Sequence, residues 1–437
     1  MDLALDWQLM NVHATSPAAY VTDRMEECRM KLNRNVDFLL SRRDIYEQIT
    51  SLTLTGWTAR NFAQGSLDEI DGFRSSIFKR LQDVLEVTRN VRHLTLSSMM
   101  PSLELLQAAL ALPRLSHLTL VDFQPPPDVI GLQFPPTHLE HLSVFYCDPG
   151  SAPPYWFLLP AMPRMRWFEL KPPYDTHPEL PAISLPIRVN PFTSVERVFI
   201  HDLASWQHTQ VTALIQEAAV SSKLPLTHLK LCSDIGYERH TLFPLITALS
   251  QTSVRYLSLD GIGYAEPDLL NHIVLSLPQL TALTLVYRES PIQHHPKPAR
   301  WPQPVWEYAS LLSGLSKLEY FGWNIRIDAT SSPVTMLHFE EGFDSGPDTV
   351  DDEDDDDIPN LVFDGRKGLP ALFAAYCPSL KTMAFVTAAD TVIVHSVECG
   401  TKVTEPKFEK ADQRLRDTYD PDPKNGSWPV LDPAIPF

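Results

Sequence analysis

The chain has 437 residues, 44 % of them apolar and 21 % charged, the balance of a folded protein rather than a disordered one. Sixteen glycines exclude a collagen-like repeat, no stretch approaches the roughly 18 apolar residues that span a bilayer, and a formal charge of −18 argues against general nucleic-acid binding. Eleven of the acids lie in residues 340–357, which hold no Lys or Arg, and without them the charge would be an ordinary −7.

Met1-Asp2-Leu3-Ala4-Leu5-Asp6-Trp7 carries acid where a secretory signal requires base, so no signal peptide is read. Residues 21–40 are expected to form a helix, with Val21, Met25, Cys28, Leu32 and Leu39 on roughly one face. Residues 1–48 are accordingly read as an N-terminal helical cap and junction.

From Ile49 onward a six-residue pattern, apolar-x-x-apolar-x-apolar, recurs. It reads Ile49-Thr-Ser-Leu52-Thr-Leu54, then Val91-Arg-His-Leu94-Thr-Leu96, Leu115-Ser-His-Leu118-Thr-Leu120 and Leu139-Glu-His-Leu142-Ser-Val144. It continues from Met165, Val195, Leu226, Val254 and Leu280, with weaker copies from Leu318 and Leu380. Several copies are introduced by one phrase, as in Leu112-Pro-Arg-Leu115, Met162-Pro-Arg-Met165, Leu277-Pro-Gln-Leu280 and Cys377-Pro-Ser-Leu380. The starts at 91, 115, 139, 165, 195, 226, 254 and 280 are 24 to 31 residues apart, close to the leucine-rich-repeat period of about 20–29.

Amphipathic helical patterns lie between the hexamers: Ile77, Leu81, Val84 and Leu85; Val211, Leu214, Ile215, Ala218 and Ala219; Leu269, Leu270, Ile273, Val274 and Leu277. A strand followed by a helix at a fixed period buries its apolar face only against neighbouring copies. The expected fold is therefore an α/β leucine-rich-repeat solenoid over 49–395, with a curved parallel sheet on the concave face and helices on the convex face. Proline lacks the N–H for a ladder bond, so Pro172–Pro191, Pro291–Pro304 and the tail 396–437 are expected to leave the repeat as loops. Residues 340–358 are expected to be a disordered acidic insertion, and Trp428 is a candidate to dock the tail.

The L-x-x-L-x-L cores, the L-P-x-L lead-ins and the helical spacers over about 36–395 resemble the leucine-rich repeats of fungal F-box proteins. Phe38-Leu39-Leu40-Ser41 followed by Ile45-Tyr46-Glu47-Gln48-Ile49 looks like the junction such proteins place before the first repeat. The resemblance implies substrate selection for a Skp–cullin–F-box ubiquitin ligase, with a Skp-type linker and a cullin as partners. Residues 1–35 show no L-P-x-E-(I/L) opening, so the F-box itself is not visible. The family's polar or Cys residue three places after the final apolar position is matched by Cys147, whereas Trp57, Met99, Phe123 and Leu203 stand at the other such places.

Catalytic signatures are scarce. Asp260-Gly261-Ile262-Gly263 follows a strand and precedes a helix as a dinucleotide loop would, but Glu266 stands at the third glycine position and a repeat loop explains the same residues. No G-x-S-x-G, H-E-x-x-H or Walker sequence occurs, so no enzyme, cofactor or metal is expected. Five cysteines without a C-x-x-C point to a reducing, intracellular setting, cytoplasmic or nuclear.

Side chains alternate along a strand, so if positions four and six of each hexamer face the core, positions three and five face the concave surface. That assigns a partner-binding face to His93, His117, His141, Trp167, Glu169, Arg197, Phe199, His228, Lys230 and Tyr256, for a protein target. A metal site on the histidine row is weighed against repeat-to-repeat copying of a polar surface residue, and copying is preferred. The run Asp351, Asp352, Glu353, Asp354, Asp355, Asp356 and Asp357 supports a second binding reading, an acidic repeat protein that holds basic clients such as histone-like or transport factors.

Overall fold

The computed structural model describes residues 1–6, 18–56, 67–124, 134–145, 156–171, 190–221, 224–289, 299–325, 361–388, 391–398, 402–403 and 407–410. The expectations for the acidic insertion 340–358, for Cys147, Trp57 and Trp428, and for most of Pro172–Pro191 lie outside the described residues. The chain divides into two compact units, Met1–Asp202 and Leu203–Phe437.

In the first unit the strands run in chain order through one parallel sheet: β1 (Asp2–Asp6), β2 (Ser51–Thr55), β3 (His93–Met99), β4 (His117–Phe123), β5 (His141–Phe145), β6 (Trp167–Lys171) and β7 (Arg197–Leu203). The hexamers set the register, with Leu52, Leu94, Leu118, Leu142, Phe168 and Val198 opposite one another and all buried. Helices α1 (Ala18–Ser41), α3 (Leu67–Val87) and α4 (Leu103–Leu110) pack in sequence order, with the short α2 (Arg43–Tyr46) following α1. Ile77, Leu81, Val84 and Leu85 are all buried, as their helical spacing requires. Ser102 caps α4 by accepting a hydrogen bond from the Leu105 amide at 3.2 Å.

One feature of this unit differs from the sequence reading. Asp2–Asp6 is a strand ahead of the expected helix, and it pairs with β2 so that Leu3 meets Leu52 and Leu5 meets Leu54. Residues 1–48 thus hold a strand and helices in the same order as the later repeats. Farther along, the described residues of the spacers before β6 and β7 form 3-10 turns, Trp156–Ala161 and Pro191–Thr193. Pro160 lies inside the first of these turns, and Pro191 opens the second.

The second unit repeats the plan with parallel strands β8 (His228–Tyr237), β9 (Tyr256–Ile262), β10 (Ala282–Tyr287), β11 (Tyr320–Trp323) and β12 (Thr382–Ala388). Helices α5 (Ser205–Ser221), α6 (Arg239–Leu249), α7 (Pro267–Ser276), α8 (Val305–Leu311) and α9 (Leu361–Tyr376) alternate with them and pack in series. Each unit is an α/β leucine-rich-repeat solenoid.

The proline-rich segments here are more ordered in part than expected. Ala299 bridges to Ile325, and Trp301 is buried among Tyr308 and Trp323, its indole N–H donating to Asn324 Oδ1 at 3.3 Å. The end of the expected solenoid and the start of the expected tail form antiparallel strands, β13 (Thr391–Glu398) on β12, and β14 (Lys402–Val403) and β15 (Lys407–Lys410) on β13. Thr391 to Val394 are paired on both sides, with β12 and with β15.

A kink in the backbone recurs just past the hexamer. Between β3 and β4 the register steps from Ser97↔Val121 to Met99↔Phe123, bypassing Ser98 and Asp122, whose φ angles are +50° and +45°. Gly261 occupies the same place in β9 at φ +91°. The residue after the kink is buried in each case, as Met99, Phe123 and Ile262. Leu203, also buried, stands at the corresponding distance from Ile200.

Candidate functional site

Position three of the hexamers forms a continuous cross-strand row in the first unit: Asp2, Ser51, His93, His117, His141, Trp167 and Arg197, each in register with the next. Strand separation of about 4.8 Å brings flat rings to stacking distance. The ring centroids lie 4.3 Å apart for His93–His117, 3.9 Å for His117–His141 and 5.2 Å for His141–Trp167, and the Arg197 guanidinium sits over Trp167 at 5.3 Å. Position five runs beside it as Thr53, Thr95, Thr119, Ser143, Glu169 and Phe199.

The histidines are held neutral. Burial pulls His117 down to about 3, with the neighbouring rings of His141 and His93 adding to the effect. Burial also lowers His93 and His141, opposed in part by Asp2 and Glu140 respectively. His117 Nδ1 is 2.8 Å from Ser116 Oγ. Neutral rings stacked at this spacing form a half-buried shelf, not a proton relay. Among the described residues no group of three His, Cys, Asp or Glu side chains is arranged to hold a metal ion, so the row does not gather as ligands.

Accessibility divides the sequence-assigned face. His93 is exposed, and His117, His141, Arg197 and Tyr256 are half-buried. Trp167 (5 % exposed), Glu169 (1 %), Phe199 (0 %), His228 (5 %) and Lys230 (4 %) are buried, which corrects the expectation that alternation alone opens positions three and five to solvent. The physical reason is side-chain size. Ser and Thr on β2–β4 leave room above the sheet, whereas Trp167, Phe199 and the aromatic pair His228–Tyr256, stacked at 4.0 Å, cover their neighbours.

In the second unit the same face becomes a small second core. Ala282 and Tyr320 stand at position three and pack with Ala384, Tyr256 and Val394, the last carried by antiparallel β13 opposite Ala384. The sequence signal for this is the replacement of polar residues by Ala282 and Tyr320 at position three of their hexamers.

The Asp260-Gly261-Ile262-Gly263 loop is structural. A Cβ on Gly261 would fall 2.0 Å from the Ser233 carbonyl oxygen, and Asp260 accepts a hydrogen bond from Arg288 at 3.0 Å. The glycine lets adjacent repeats approach instead of cradling a phosphate.

No protein-family model matches the chain, and no curated protein matches it. Among solved structures it is similar to an internalin from Listeria monocytogenes, at 13 % identity over 64 % of this chain and 76 % of that one, with a TM-score of 0.29.

Proposed function

We propose that this chain is a non-catalytic protein-recognition module that meets its partner with the β2–β5 part of its sheet. One observation carries the reading: Ser51, Thr53, His93, Thr95, His117, Thr119 and His141 form adjoining rows that keep solvent access, while Trp167, Glu169 and Phe199 farther along these rows are buried. Short hydroxyl side chains and neutral imidazoles give donors and acceptors without the desolvation cost of buried charge. Thr95→Arg with Thr119→Arg places two long cations on this surface and is expected to abolish capture of specific partners in affinity purification with mass spectrometry. Leu275→Arg, at an exposed position of α7, should leave capture unchanged. Identical partner profiles for parent and Thr95→Arg/Thr119→Arg chains would sink the proposal.

The finer reading is substrate selection for a Skp–cullin–F-box ubiquitin ligase, in the cytoplasm or nucleus. It is supported by the resemblance of the hexamer cores and L-P-x-L lead-ins to those of fungal F-box proteins. Because β1 carries the sheet register into residues 2–6, we assign linker binding to no element of 1–48. Recovery of a Skp-type linker and a cullin with the chain is the expected result, and their consistent absence removes the ligase role. The acidic run 340–357 supports a second reading, retention of basic clients such as histone-like or transport factors, and deleting it should then release them. Among the described residues no helix is long and apolar enough to cross a membrane.

A further inference from the structure

The strand-entry edge of β3–β6 is basic, on a chain whose formal charge is −18. Two residues per repeat sit there, the one before the hexamer and the hexamer's second. Arg92, Arg114, Arg164 and Arg166 occupy four of these places and are all exposed. Backbone bonds fix them side by side: the Ser116 amide donates to Arg92 O at 3.0 Å, Glu140 to Ser116 O at 2.9 Å and Arg166 to Glu140 O at 2.8 Å. The Arg166 guanidinium is bound by Glu196 through two hydrogen bonds of 2.9 and 2.7 Å, and Arg164 lies 3.1 Å from His138 Nδ1. No described carboxylate pairs with Arg92, Arg114 or Arg164. Glu140, half-buried, is the acid within this edge.

We infer that this edge, with the adjoining His93–His117–His141 shelf, receives an extended acidic peptide segment of the partner. The inference rests on the protein-recognition reading above and adds the partner's chemistry. A peptide crossing the strands advances about 3.3 Å per residue, so carboxylates three residues apart span about 10 Å. Arg114 and Arg164 belong to repeats two strands apart, also about 10 Å at sheet spacing. Arginine forks suit carboxylates, which they can grip through paired N–H donors. A nucleic acid fits less well, because a long polyanion gains only a few phosphate contacts here while facing an acidic chain.

The test is fluorescence anisotropy on the full chain at low salt, with a labelled octapeptide carrying Asp at every third position among Ser, its Asn-for-Asp counterpart, and a single-stranded oligothymidylate. The Asp peptide is expected to bind, weakening as salt rises. Each of Arg92→Ala, Arg114→Ala and Arg164→Ala should weaken it about twofold to fivefold, in line with exposed ion pairs. These side chains are exposed, so thermal unfolding should not move; a variant that unfolds early is replaced by the matching Arg→Gln. Equal binding of the Asn peptide, tighter binding of the oligonucleotide, or indifference to all three substitutions would overturn the inference. Loss of partner capture in Thr95→Arg/Thr119→Arg, with no response to the Asp peptide, would leave the recognition role standing and remove only the acidic partner.

Discussion

Gly261 shows how a single residue sustains the packing of two repeats. Its φ of +91° is a conformation that side-chain-bearing residues avoid, and the Ser233 carbonyl leaves no room for a methyl group. Gly261→Ala is expected to cost about 2–4 kcal/mol, combining backbone strain with displacement of the β8 backbone. A denaturant midpoint within experimental error of the parent would show that the loop adjusts freely. Ser98 and Asp122 adopt the same left-handed conformation at milder φ, where Asp and small polar side chains are better tolerated. Histidines at two places make stability acid-sensitive. His117 in the row, and His208, which is buried on α5 and stacked on Tyr237 at 3.8 Å, are both lowered to about 3 from an ordinary 6.5. Burial is the leading cause for each. Because the unfolded chain takes up these protons below about pH 6.5 while the folded chain stays neutral toward pH 3, their contribution is complete above 6.5 and is lost as pH falls. His117→Gln should flatten the decline of the urea midpoint between pH 7 and 4, and an unchanged slope would count against this account.

At the scale of elements, strand β1 is the most informative. Leu5 is buried and pairs with Leu54, so the first turn of sheet rests on one short strand. Leu5→Asp brings a carboxylate against apolar neighbours, at a cost that burial of an unpaired charge makes large. Since a repeat array is held by nearest-neighbour interfaces, the damage should stay local. Amide exchange is expected to quicken in Asp2–Asp6 and α1 while β8–β10 keep their protection; uniform loss of protection would contradict repeat-wise stability. The spacers were only partly legible in the sequence. Helical spacing in Ile77–Leu85 and Leu269–Leu277 located α3 and α7, because an amphipathic helix writes its buried face at period 3.6. β1 was missed because Leu3-Ala4-Leu5 lacks the hexamer's first apolar position, and strands β13–β15 because they do not carry the leucine hexamer.

Over the whole molecule, the candidate site was legible as a list and not as a surface. The alternation rule correctly paired His93 with His117 and His141, and Trp167 with Arg197, since parallel register follows directly from equal hexamers. It could not tell which of these side chains solvent reaches, because that depends on what lies above the sheet. Trp167, Phe199 and His228 are buried, and in the second unit Ala282, Tyr320 and Val394 close the face into a core. The hexamer repeat by itself determined the fold class, the strand order within each unit and the cross-strand partners, because local apolar spacing decides which face of each segment must be buried. Only the tertiary structure decided where the sheet face stays open, why Gly261 cannot carry a side chain, and that arginines from β3, β4 and β6 share one edge, because each of these depends on atoms brought together from different repeats.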